Sequence, residues 1–331
     1  MLIAGTPWPG QDGGVFALFL VVLGIAGLAI GSGYVVRGAL AIAQRLGLSP
    51  LVVGLTITSI GTSLPEIATN IAVGADILSG VPASGIAVGN VIGSCLSQIT
   101  LLLAVAGLVG TLTCPRRSLR RDGAMLVIAL LAMFACSIDG TISRFEGGLL
   151  VSAYAVYLVV VVVLERQWAD VDAQEPAGDD LSLGRAVGLL AIGLVIVTAS
   201  ADLAVENAVA VARAMGVGAS LIGLGVRFGT GLPELTVSLR AMNAQSGTLG
   251  LGNLIGSNIT DPLLSAGLGA LVAPMLVPPV AIFFDFPFWM AASGVALLLL
   301  FNHLDLNRRE SGVLLIVFGL FVWVRATLLP V

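Results

Sequence analysis

Apolar residues in this chain run on in long blocks, separated by short polar stretches, rather than in brief alternating segments. A helix needs about 20 apolar residues to cross a bilayer. On that rule the blocks predict ten spans, at residues 15–42, 50–75, 84–111, 123–138, 147–164, 185–213, 218–242, 248–272, 277–301 and 311–329. The alternating ten-residue segments of a transmembrane barrel are missing, so the fold class predicted is an all-α membrane protein. One stretch interrupts the pattern. Residues 165–184, ERQWADVDAQEPAGDDLSLG, are acidic and small and read as a solvated linker, with cation sensing by its acids as the alternative. The chain is thereby divided into residues 1–164, the linker 165–184 and residues 185–331, two halves of five spans each.

The halves repeat each other. GTSLPEI (61–67) matches GTGLPEL (229–235), GNVIGS (89–94) matches GNLIGS (252–257), and LGLSPLVVGL (46–55) is similar to MGVGASLIGL (215–224). Because five is odd, the second copy must enter the membrane with the opposite orientation. That is the pattern of an inverted-topology repeat, in which transporters build a site near the midplane from broken helices.

Composition agrees with a lipid solvent: 57% of the 331 residues are hydrophobic and 10% are charged, against about 25% charged in soluble domains. Every basic residue is arginine. With the N-terminus outside, the loops and helix ends on the cytoplasmic side hold Arg45, Arg116, Arg117, Arg120, Arg121, Arg166, Arg185, Arg240, Arg308 and Arg309, while the outside holds Arg144, Arg213 and Arg325. This follows the positive-inside tendency and places both termini outside. The run RRSLRR (116–121) is then a topology anchor rather than a nucleic-acid patch. Cys95, Cys114 and Cys136 have no metal-like spacing and read as free thiols. The first residues, MLIAGTPWPGQDGG, lack a positive n-region, so no cleaved leader is expected.

The repeated motifs carry the chemistry. Ser63-x-x-Glu66 has the form of a capping box, and Pro65 suits the first turn of a helix; a helix restart is the bland reading. It leaves a carboxylate at mid-membrane depth, where an acid costs about 2.5–3.5 kcal/mol on insertion scales. Glu234 repeats the problem and Asp261 adds a third acid. Asn90, Ser94 and Gln98 share one helix face by their spacing of four, as do Asn253, Ser257 and Asp261. Thr62 and Asn70 flank Glu66, and Thr230 and Ser238 flank Glu234, at the same spacing. Such stripes serve either as glue between helices or as ligands. The set Glu66, Glu234, Asp261, Thr62, Ser63, Thr230, Ser94, Ser257 and Gln98, with carbonyls freed where the helices break at Gly61 and Gly229, consists of oxygen ligands only. That favours a hard cation such as Ca²⁺ or Na⁺.

These paired motifs resemble the alpha-repeats of the sodium/calcium exchanger family, within the calcium/cation antiporter superfamily, and FFDFPFWM (283–290) resembles the family's Asp-x-Pro segment in span nine. The resemblance implies two inverted five-helix repeats. It also implies central cation ligation by Glu66 and Glu234, supported by Thr62, Ser63, Thr230, Ser94, Ser257 and Asp261, and exchange of Ca²⁺ for Na⁺ as the first and sixth spans slide past the bundle. Alternatives are a divalent cation/H⁺ antiporter and a transport-inactive cation-binding homologue. No cofactor, no nucleic-acid partner and no enzymatic activity are expected, since the single histidine, His303, is remote from the repeated serines. A monomer in a bacterial or archaeal plasma membrane is the expected setting.

The second copy departs from the first. Gly231 replaces a serine, and Gln98 stands where the family often has Asn or Asp. Six residues separate Gly54 from Gly61 but only five separate Gly223 from Gly229, a change of about 100° on a helix. Arg227 falls in this shortened stretch. It either pairs with Asp261 or Glu234 in place of a monovalent cation, lowering Na⁺ stoichiometry or favouring protons, or it snorkels to the aqueous face.

Overall fold

A computed structural model describes residues 10–80, 84–110, 112–168, 180–216 and 229–327. Arg227, the residues around the predicted one-residue shortening and most of the acidic linker lie outside them. Among the described residues the chain is a helical bundle. α1 is Gly10–Leu46, followed by a broken unit: α2 (Pro50–Val53), a π-helical turn (Gly54–Thr58), α3 (Ser59–Thr62) and α4 (Leu64–Leu78). α5 (Ser84–Ser97) runs through a π-turn (Gln98–Leu102) into α6 (Leu103–Val109). The first half closes with strand β1 (Leu112–Thr113), α7 (Arg116–Ser137), β2 (Thr141–Ile142) and α8 (Arg144–Trp168).

In the second half α9 (Leu183–Ala214) and α10 (Leu232–Asn243) lead to α11 (Gly247–Thr260). A π-turn (Asp261–Ser265) and α12 (Ala266–Val272) follow. Then come β3 (Met275–Leu276), a π-turn (Ala281–Asp285), α13 (Phe286–His303), β4 (Asp305–Leu306) and α14 (Arg308–Thr327). Five of these helical stretches are long and apolar enough to cross a membrane, six if the bent unit Pro50–Leu78 is one span.

The same pieces follow each second motif in the same order. GNVIGS and GNLIGS each lead into a π-turn, which begins at Gln98 in one half and Asp261 in the other, then a seven-residue helix and a two-residue strand. The strands then cross-pair. β1 pairs antiparallel with β4, and β2 with β3. These short ladders sort the loops. Residues 112–113 and 305–306 share one end of the bundle, flanked in sequence by Arg116, Arg117, Arg308 and Arg309; residues 141–142 and 275–276 share another pairing site, where Arg144 donates to the Val272 carbonyl at 2.9 Å.

Two hydrophobic cores result. The larger joins α5–α8 with α11–α14 around the buried Trp289 and Phe286. The smaller is made by α1 and α9, touched from the rest by Val53, Val237, Ala241 and Leu249. Lipid, not water, solvates the outer face: Phe16, Phe19, Val156, Val195, Phe283 and Ile316 are all exposed. Between the halves, helices meet backbone to backbone. A Cβ on Gly54 would lie 2.5 Å from the Leu249 carbonyl oxygen, and one on Gly252 would lie 2.5 Å from that of Leu51. Small residues at such crossings permit the close packing that membrane helices rely on.

The crossing yields a prediction. Gly252→Ala should destabilise the protein by about 1–3 kcal/mol, the usual cost of overpacking, seen as a lower melting temperature in detergent. Gly294→Ala, where nothing lies within 4 Å, should leave it nearly unchanged.

Candidate functional site

The two repeated Leu-Pro-Glu segments build the same local structure. α3 ends at Thr62 and α4 restarts at Leu64, and the stretch Pro50–Thr62 is bent by 46° against Leu64–Leu78. The hinge residue is Ser63, at φ −82°, ψ 4°; its counterpart Gly231, ahead of α10, sits at φ −84°, ψ 4°. The breaks therefore lie two residues later than the expected Gly61 and Gly229. Those glycines serve packing instead: a Cβ on Gly61 would strike Leu194, and one on Gly229 would strike Val205, both on α9. The backbone at Gly231 is open to any residue, so its glycine is not explained by conformation.

Pro65 and Pro233 fall in the first turns after the breaks, where a missing N–H costs nothing. The same turns carry Glu66 and Glu234. The capping box does not form: the Ser63 side chain makes no cap hydrogen bond. Among the described residues, its hydroxyl and both carboxylate oxygens of Glu66 make no hydrogen bond of full geometry, nor does either carboxylate oxygen of Glu234. The Ser63 hydroxyl nevertheless lies near the Asp261 carboxylate, and the Thr62 hydroxyl near that of Glu234. Glu66 is 1% exposed and Glu234 0%. Glu66 lies within electrostatic reach of Glu234 and Asp261.

Around them stands a web of neutral polar groups drawn from both halves. Thr62 donates to Asn253 Oδ1 at 3.2 Å. Asn253 Nδ2 in turn reaches the Glu234 carbonyl at 3.3 Å and Ser238 Oγ at 3.2 Å, while Asn70 Nδ2 donates to Ser265 Oγ at 2.7 Å. Gln98 Nε2 donates to Asp261 Oδ2 and to Ser94 Oγ, both at 3.0 Å, and Ser94 Oγ reaches the same carboxylate oxygen at 3.4 Å. Asp261 Oδ1 and the Ser257 hydroxyl make no hydrogen bond of full geometry with a described residue. Thr230, half-buried beside the second break, already interacts with a neighbour.

Gln98 differs from its expected use. Its amide oxygen, read from sequence as a ligand arm, accepts from Asn258 Nδ2 at 3.0 Å, so the side chain is spent holding Asp261. Asn258 escaped sequence reading although a buried amide in an apolar helix was itself a signal. So did Asp202 on α9, which acts electrostatically on Glu66, and Tyr154, whose hydroxyl meets Thr260 Oγ1 at 2.9 Å; Thr260 lies 3.3 Å from Ser59 Oγ.

Chemically, this is an oxygen-rich pocket whose carboxylates are left unneutralised by any protein cation among the described residues. Among those residues no three His, Cys, Asp or Glu side chains gather on one metal-sized point. A bound cation would thus need neutral oxygens as well as carboxylates, and the unpartnered hydroxyls of Ser63 and Ser257 are of the right kind. Hard cations accept such mixed shells.

Comparison with known proteins gives this chemistry a family. The family model described as sodium/calcium exchanger protein matches residues 16–163 and 185–327. The protein CaxA of Alkalimonas amylolytica is 31% identical over 91% of this chain and 96% of its own. The sodium/calcium exchanger MaX1 of Methanosarcina acetivorans is 29% identical over 92% and 96%. Among solved structures, the sodium-calcium exchanger NCX_Mj soaked with Na⁺ and Ca²⁺ superposes with a TM-score of 0.78 at 28% identity, covering 95% of this chain and 99% of that one. Family match, relatives and architecture agree: the chain belongs to the sodium/calcium exchanger family and is a multi-pass membrane protein of the cation-antiporter kind.

Proposed function

We propose that the protein exchanges Ca²⁺ for Na⁺ by alternating access, with Glu66 and Glu234 as the central ligands of the transported cations. The observation that carries this reading is the set of carboxylate oxygens on Glu66 and Glu234, buried and with no hydrogen bond of full geometry from a described residue. Ser63 and Ser257 would add free hydroxyls, Asp261 its free Oδ1, and Thr62, Thr230 and Ser94 would complete the shell by small side-chain turns. Gln98 acts indirectly, by fixing Asp261. Ca²⁺, or several Na⁺ ions, neutralises the same acids. Carrying them uncompensated through a low-dielectric barrier is costly, so the unloaded carrier resists reorientation and exchange becomes obligatory.

The two halves are proposed as inverted repeats of five spans, 1–164 and 185–331, about the linker 165–184. The matching order of motif, π-turn, short helix and strand supports this, as does the cross-pairing β1–β4 and β2–β3. The proposed orientation puts the β1–β4 end, rich in arginine, in the cytoplasm of a bacterium or archaeon, and both termini outside.

Coupling to protons is the second reading, favoured by Gly231: it offers no hydroxyl where Ser63 does, and so one oxygen fewer for a sodium ion. Uptake of ⁴⁵Ca²⁺ into proteoliposomes separates the two. An outward Na⁺ gradient should drive uptake while a pH gradient alone should not. The reverse result transfers the assignment to protons, and no response to either gradient overturns antiport of Ca²⁺ altogether.

A second prediction concerns the carboxylates. Glu66→Gln and Glu234→Gln should each reduce Ca²⁺ uptake to background. Because neither carboxylate accepts a hydrogen bond of full geometry from a described residue, neither change should lower the melting temperature in divalent-free buffer. The wild type should gain about 2.7 kcal/mol at a hundredfold excess of Ca²⁺ over its Kd, and both variants should lose that gain. A variant retaining both uptake and stabilisation would remove its glutamate from the site.

A further inference from the structure

A groove of about 750 Å³ opens between the α1–α9 pair and α10. Its described walls run from Val21 to Ser32 on α1, from Ala204 to Ala212 on α9 and from Leu232 to Asn243 on α10. They are almost wholly apolar, and Arg240 is the one charged residue among them. Eleven helical steps on α1, and eleven on α10, make the groove about 16 Å long, close to half of a hydrocarbon core about 30 Å thick.

Apart from Thr236 midway along α10, the polar residues are not scattered. Ser32, Arg240 and Asn243 lie toward one end of the groove, and there α1 has a glycine: a Cβ on Gly33 would sit 3.5 Å from Arg240 Nε. That end is the basic one. Met242, two residues beyond Arg240, packs within 3.0 Å of the position a Cβ on Gly110 would take, just before β1 and its pairing with β4. Arg240 is exposed and makes no ion pair or hydrogen bond with a described residue. An exposed guanidinium with no partner among the described residues, at the end of an apolar channel about one leaflet long, has the shape and charge of a lipid seat.

We propose that this groove binds one anionic phospholipid from the leaflet at the basic end, its phosphate on Arg240 and an acyl chain along α1 and α9. The lipid lies between the α1–α9 core and the helix that carries Glu234 in its first turn, so its occupancy bears on how those two bodies sit together.

Native mass spectrometry of the full chain in detergent, titrated with phosphatidylglycerol, tests this without reference to transport. One molecule should be retained per chain, in preference to phosphatidylcholine, and inorganic phosphate should not displace it. Arg240→Gln should weaken retention about fivefold, as expected for about 1 kcal/mol per basic residue at an anionic surface. Ala208→Trp, which fills the exposed wall of α9, should weaken it independently. Loss in Arg240→Gln alone would mean surface attraction only, and loss in Ala208→Trp alone would mean a chain held without its phosphate. Either result overturns the proposal, as would equal retention of phosphatidylcholine by the wild type, a comparison that needs no variant to fold, or displacement by inorganic phosphate.

Discussion

Two buried carboxylates, with no hydrogen-bond partner in full geometry among the described residues, set the terms for much of what surrounds them. A buried acid in a membrane helix is tolerated where it meets water, a cation or donors, and among the described residues the carboxylates of Glu66 and Glu234 accept no hydrogen bond of full geometry. Their positions follow from the helix breaks: with Ser63 and Gly231 in a near-identical bent conformation, each glutamate occupies the first turn of a new helix. There the unsatisfied N–H groups and the helix dipole favour negative charge. The prolines that would damage a continuous helix are, at these positions, compatible with its start. Bent backbone and buried charge thus belong to one device. A straight helix would have left the glutamates without the field of a helix N-terminus.

Holding two such breaks together requires precise contact between halves far apart in sequence, and small residues provide it. Gly54, Gly252 and Gly256 let the π-turn after α2 lie against α11 at backbone distance. Across that seam Thr62 reaches Asn253, Ser59 meets Thr260 and Gln98 reaches Asp261. Each bond links a residue of one motif region to a residue of the other. The polar web is therefore both the wall of the site and the glue between the halves, so the two readings of the Asn/Ser stripes converge. π-turns occur beside the web on α2–α3, α5–α6 and α11–α12; such turns often mark functional sites, because the extra residue re-aims side chains.

Much of this was legible in the sequence because the repeat is stated twice. Long apolar blocks announced spanning helices, and an acid recurring at the same place in two greasy segments pointed to the candidate site. What was not legible depended on pairing over distances that spacing cannot express. The break fell at Ser63 and Gly231 rather than at Gly61 and Gly229, because those glycines are claimed by close contact with Leu194 and Val205. Gln98 became a support for Asp261 because Asn258, from a helix 160 residues away in sequence, takes its amide oxygen. The Ser63-x-x-Glu66 pattern also misled locally: the spacing allows a capping box, yet the Ser63 side chain makes no cap hydrogen bond.

The same contacts bear on how a two-sided carrier would move. α1 and α9 form a core of their own and touch the larger body through few side chains. α9 also packs two residues ahead of each break, on Gly61 through Leu194 and on Gly229 through Val205. Those α9 residues are eleven apart, about 16 Å along the helix. A rigid helix packed just ahead of both breaks cannot shift along its axis without altering its packing beside each. If it uncovers one break as it covers the other, access alternates while the web linking the halves stays intact. On this argument the glycines at 61 and 229 matter less for bending the chain than for giving α9 smooth tracks, and the groove beside Arg240 lies along the seam where that motion would be felt.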